Sequence, residues 1–176
     1  MCYLLNMKTL LVLFVISIIL SSGCGAFNPN DIILPDDLEF IQTVKILNTP
    51  EKISNYMQDN FAYKENFYSD PDPYVLWLSR EGDCDDMSTF ATTCATYHGI
   101  PVYQIHLYFK GICICHSLAV YLENDKYTYS SNQNYFPVYV SSFDDIVLDY
   151  FKSDGREIIY YNIYDYQNNL IEKVQK

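Results

Sequence analysis

Apolar positions along this chain follow two rhythms, a helical one in the first half and a mostly alternating one in the second. Leu38, Ile41, Val44, Ile46 and Leu47 recur near helical spacing, with Asp36 or Asp37 placed to open the helix. A second helix is announced by Thr49 as cap, Pro50 at the first helical position and Glu51 behind it, with Ile53, Tyr56 and Met57 on its apolar face. The stretch from Phe61 to Pro73 reads as a loop or short extended piece closed by two Asp-Pro steps, and Tyr74 to Arg80 as a short helix or turn. A longer helix spans about Asp83 to Tyr97 and stops at Gly99-Ile100-Pro101. Met87, Ala91, Cys94 and Ala95 form its packing face, and their small size lets the helix sit close to a partner.

Beyond Pro101 the pattern changes. Val102 to Phe109, Ile112 to Leu122 and Tyr127 to Ser131 are rich in branched and aromatic residues and are joined by short turns, which predicts an antiparallel meander. Ser142 caps one more amphipathic helix, and Glu157 to Tyr166 reads as a last strand. Helices first and mostly strands after indicate an α+β domain. No internal repeat is visible.

Before all of this, Met7-Lys8 precedes an apolar run from Thr9 to Leu20, about the length of a signal-peptide core and short of the roughly 20 residues of a spanning helix. The Gly23-Cys24 junction resembles a bacterial lipoprotein processing site. That predicts residues 1–23 as a signal peptide and Cys24 as the lipidated first residue of an exported, membrane-anchored protein. Ser21 stands where such sites usually carry leucine, which leaves plain signal cleavage or an uncleaved anchor open. Residues 24–35 would be a linker and 36–176 a single domain.

Composition narrows the function. The chain has 176 residues, 49% of them hydrophobic and 16% aromatic, enough for one domain with a sizeable core. Its net charge is -11, and loss of Lys8 with the signal peptide makes it more negative still. Such a surface repels phosphate backbones, so nucleic acid is excluded as a partner. Four cysteines remain in the domain: Cys84, Cys94, Cys113 and Cys115. Outside the cytosol some could pair, and a bridge from Cys94 to Cys113 or Cys115 is left open. Cys113, Cys115 and His116 suggest zinc, but alternation puts the two cysteines on one face of a strand and the histidine on the other, so no metal is expected.

The chemistry concentrates in "GDCDD", Gly82 to Asp86. With Asp83 as cap, Cys84 is the first helical residue, where backbone N–H groups and the helix dipole favour a thiolate. Asp85 and Asp86 oppose it. A nucleophilic cysteine needs a base, and the base an orienting partner. His98 lies at the far end of the helix, about 20 Å away at 1.5 Å per residue. His106 is mid-strand. His116 begins an apolar strand segment that can face the helix start, and Ser130, Ser131 and Asn132 end the next strand.

Taken together, "GDCDDMSTFATTCATYHGIPV", "HSLAVYL" and "KYTYSSN" are similar to the core of the transglutaminase-like superfamily. The resemblance covers about a third of the chain. It implies a papain-like core with a catalytic helix on an antiparallel sheet. It further implies Cys84 as nucleophile, His116 as base and Asn132 as orienter, with Ser131 or Ser130 as alternatives in register. Trp77 is a weak candidate for the oxyanion site. The activity implied is cofactor-free acyl transfer on peptide or side-chain amides, most simply a cysteine peptidase or amidase acting on a peptide or protein substrate. Transglutaminase-type amine transfer is the alternative. So are a non-catalytic peptide- or cell-wall-binding domain of the same fold and a structural envelope lipoprotein stapled by disulfides.

Overall fold

The computed structural model describes residues 32–65, 70–113 and 115–176. The signal segment and Cys24 lie outside the described residues. Among those described, no helix is long and apolar enough to cross a membrane.

Four helices come first: α1 (Leu38–Ile46), α2 (Pro50–Asn60), α3 (Pro73–Ser79) and α4 (Cys84–Tyr97). Each begins at a side chain that accepts from its first turn: Asp37, Thr49, Asp72 and Asp83. Pro50 and Pro73 occupy early helical positions, where their missing N–H costs nothing. Two short strands, β1 (Ala62–Tyr63) and β2 (Glu81–Gly82), pair in parallel just ahead of α4.

The rest of the chain builds a six-stranded antiparallel sheet from β3 (Val102–Phe109), β4 (Cys115–Glu123), β5 (Lys126–Ser131), β6 (Asn134–Val140), β7 (Ile158–Tyr164) and β8 (Leu170–Gln175), in the order β6-β5-β4-β3-β7-β8. One helix, α5 (Phe143–Asp154), is capped by Ser142 and connects β6 to β7.

The sheet separates two cores. On one side, Phe40, Val44, Ile53, Met57, Leu76, Trp77 and the α4 face Met87, Phe90, Ala91, Cys94 and Ala95 pack on Ala119 and Tyr121 of β4. On the other, Ile146, Val147 and Tyr150 of α5 pack on Ile105, Leu107, Leu118, Val120 and Tyr161. This is an α+β fold in which the Cys84 helix lies on an antiparallel sheet. The predicted small face of α4 is fully buried against it.

Two strands, β6 and β8, have no counterpart in the sequence-based reading. They are the two edges of the sheet. β6 carries Pro137 and an irregular register, which an edge tolerates, and β8 is largely exposed and charged. Edge strands need less apolar alternation, so their signal is weak.

Candidate active site

The site forms where α4 begins. Arg80 ends α3 in the left-handed region (φ 64), β2 pairs with β1, and Gly82 then brings the backbone against Asp86 and Leu76. Asp83 accepts from the Asp85 N–H at 3.2 Å, while Asp86 Oδ2 accepts from the Asp83 N–H at 3.1 Å. This capping box fixes the first turn and makes Cys84 its first residue.

That position was expected to depress the Cys84 pKa, and the structure overturns the expectation. Burial pushes the thiol up to about 12, and the carboxylates of Asp83 and Asp85 add to the rise. The backbone N–H of Ser117 works in the opposite direction. Desolvation outweighs the dipole because the first residues of β4 pack over the sulfur at the helix head. The sulfur donates to the Cys115 carbonyl oxygen, at 3.9 Å. Burial and the neighbouring Asp83 also raise Asp85, to about 7.

His116 is the second residue of β4. Its Nε2 is 2.9 Å from Ser131 Oγ on the adjacent strand, and its ring stacks on Tyr150 of α5 with centroids 5.2 Å apart. Burial and the Arg156 charge push the imidazole down to about 4, against a smaller upward pull from Asp154. At neutral pH both Cys84 and His116 are therefore uncharged.

Register decides which side chain meets the imidazole. Ser131 follows the last inward position of β5 and meets the ring. Ser130 points to the other face, within hydrogen-bond reach of Ser54 (2.8 Å) and Tyr121 (3.0 Å). Asn132 does not meet the imidazole. It is the first residue of the two-residue β5–β6 turn, at φ 50, a conformation asparagine tolerates. It still lines the cleft, and its Oδ1 is buried without a hydrogen-bond partner among the described residues.

Trp77 also lies elsewhere. The buried face of α3 turns it into the helical core, where it packs on Phe40 at 5.5 Å and under the Arg80 guanidinium at 4.7 Å. It does not line the cleft that holds Cys84. His98 caps α4 with Nε2 2.8 Å from the Val44 carbonyl, and His106 is 3.3 Å from Gln104 Oε1. Cys84, Cys94, Cys113 and Cys115 are all free thiols, with Cys94 in the core and Cys113 exposed.

Cys84, His116, Ser131 and Asn132 line one cleft of about 650 Å³. Its walls add Tyr63, Glu65, Asp83 and Asp85 on the α4 side and Tyr150, Asp154 and Arg156 on the α5 side. Nothing local in the sequence marks these last three, because they reach His116 only once α5 has folded onto the sheet.

The His116 shift has a measurable consequence for stability. Its folded value lies below its unfolded value, so between about pH 6.5 and pH 4 the unfolded chain binds a proton that the folded one does not. Stability falls as pH drops through that window, by about 3 kcal/mol at most. Asp85, raised in the folded state, acts with the opposite sign between about pH 7 and pH 4. Urea unfolding of wild type and His116→Gln across this range isolates the histidine: the variant is expected to lose less stability on acidification.

No family model and no curated protein matches the chain. Solved structures similar to it include the following two. One is a candidate cysteine protease from Cytophaga hutchinsonii, at TM-score 0.44 and 15% identity over 57% of this chain and 37% of that one. The other is Legionella pneumophila LapG in its EGTA-treated form, at TM-score 0.45 and 12% identity over 72% of this chain and 70% of that one. The chain thus spans little more than a third of the length of the Cytophaga protein. Likeness at this level assigns no activity.

Proposed function

We propose that the protein is a thiol-dependent acyl-transfer enzyme of transglutaminase-like type, hydrolysing peptide or side-chain amides. One observation carries this reading: Cys84, at the capped head of α4, shares a cleft with His116, whose Nε2 is held by Ser131. With Nε2 engaged, Nδ1 is the nitrogen left to take a proton. His116 would accept the Cys84 proton as the sulfur leaves the Cys115 carbonyl and attacks the substrate carbonyl carbon. The positive end of α4 would meet the oxyanion. Collapse breaks the C–N bond, the imidazolium protonates the departing amine, and a thioester remains on Cys84. Water, losing a proton to His116, then attacks the thioester, and acid and thiol are released. No cofactor enters. By the same reading the domain works outside the cytoplasm, held to the membrane by lipid on Cys24, which rests on the sequence alone.

A second reading, a non-catalytic peptide-binding domain, has one observation in its favour. The thiol is strongly protonated and hydrogen-bonded to backbone. The two are separated by incubating the protein with a mixed peptide library, quenching in acid and examining it by mass spectrometry. An acyl adduct on Cys84 with cleaved products, both absent in Cys84→Ala, is expected. Cleavage that persists in Cys84→Ala overturns the assignment. Peptide retention with no adduct and no product selects the binding domain.

A further inference from the structure

The proposed reaction assigns nothing to the residues behind His116, yet they are the most tightly connected group around it. Tyr150 is 6% exposed and lays its ring against the imidazole with the planes 26° apart. Its hydroxyl donates to Asp154 Oδ2 at 3.2 Å and accepts from Arg156 Nη2 at 3.1 Å. Arg156 grips both oxygens of Asp154, Nε to Oδ1 at 2.5 Å and Nη2 to Oδ2 at 2.9 Å. Its guanidinium lies over the Phe109 ring, 4.0 Å from the centroid. Gly155, at φ 80, makes this possible by reversing the chain after α5, so that Arg156 folds back over the last turn.

A flat ring is fixed only when both its plane and its rotation within that plane are held. Ser131 holds the rotation through Nε2, and Tyr150 holds the plane. We propose that the Arg156–Asp154 ion pair, tied to the imidazole through the stacked Tyr150, sets the electrostatic surroundings of His116. The catalytic meaning of this rests on the acyl-transfer reading; the arrangement itself rests on the contacts. The groups facing His116 are Tyr150 and Asp154 from α5, Arg156 just beyond it and Ser131 from β5. Cys84, Asp83 and Asp85 stand at the head of α4 and Cys115 beside it on β4. Arg156 disfavours the imidazolium and Asp154 favours it.

The test is a proton-NMR titration of His116 in the full domain, its resonance assigned by loss in His116→Gln and with His98 and His106 as internal references. Arg156→Gln is expected to raise the His116 midpoint by about half a pH unit or more, because a cation is removed and Asp154 is left facing the ring. Asp154→Asn is expected to lower it. Arg156→Lys, which keeps the charge, is expected to stay near wild type. The opposed signs separate an effect of charge from simple loosening, since loosening hydrates the ring and raises the midpoint in every variant. Midpoints in Arg156→Gln and Asp154→Asn that move the same way, or by less than about 0.1 pH unit, overturn the proposal. If Arg156→Gln does not fold, Asp154→Asn decides by its sign. The Cys84 adduct assay, run in parallel on wild type, keeps the two ideas apart. An adduct with unmoved midpoints removes the electrostatic role of the pair and leaves acyl transfer. Opposed shifts without an adduct do the reverse.

Discussion

Replacing His116 with alanine is expected to lower the rate of acyl transfer by about a thousandfold, within the range usual for losing a positioned general base. The loss should be this large because Cys84 cannot ionise unaided. Its thiol is held near 12, so at neutral pH a negligible fraction is thiolate and the proton must be taken during attack. The pH profile carries the same signature. Below about pH 4 the imidazole is protonated and no longer a base, so wild-type rate falls there; above it the rate is sustained. In His116→Ala the acid limb disappears and the residual rate climbs steadily with pH as hydroxide ionises the thiol. Ser131→Ala, which leaves the ring in place but unanchored at Nε2, should fall between the two. Asn132→Ala should cost much less, since Asn132 does not touch the imidazole. Rates of peptide cleavage across pH for the four proteins check this. An Asn132→Ala defect deeper than that of Ser131→Ala would return asparagine to the orienting role.

Gly82→Ala is expected to be strongly destabilising. A Cβ at this position would stand 2.8 Å from Asp86 Cβ, Asp86 Oδ2 and Leu76 Cδ1. Asp86 cannot withdraw without releasing the Asp83 N–H, and Leu76 is 1% exposed in the helical core. Overpacking of this kind costs about 1–3 kcal/mol, and loss of the capping box adds about 1 kcal/mol. The effect reaches function as well, because the capping box determines where α4 begins and hence where Cys84 sits. Urea unfolding should show the lowered stability, and the adduct assay a loss greater than the unfolded fraction explains. A variant as stable as wild type would mean that the turn yields without disturbing the cap.

What was legible in the sequence was whatever local chemistry decides. Asp83 as cap, Cys84 at the first helical position, the small face of α4 and the course of β3 all follow from residue type and spacing, and each is found in place. β4 differs: it begins at Cys115 rather than Ile112 and is buried on both faces, so it shows no alternation. The choice between Ser131 and Asn132 was not legible. A shift of one residue moves a side chain to the other face of a strand, and nothing local fixes which residue of Ser130-Ser131-Asn132 is the last of β5. The Cys84 pKa was misjudged for a different reason. The helix dipole is a local property, but burial of the thiol is set by β4 crossing the helix head. Which face of α3 turns inward is likewise set by packing, and it carries Trp77 into the helical core rather than to the cleft. Tyr150 and Arg156 belong to an element distant along the chain, and only the packing of α5 on the sheet discloses them.

The protonated state of Cys84 also bears on how long the protein survives in use. Peroxides react with the thiolate and hardly with the thiol, so a sulfur kept near 12 is oxidised slowly even in a cleft that admits solvent. Nor does it readily enter exchange with a disulfide of another molecule, since that reaction also starts from the ionised sulfur. Under the proposed reaction, a nucleophile ionised only while a substrate is being attacked can remain reduced where oxidant is plentiful.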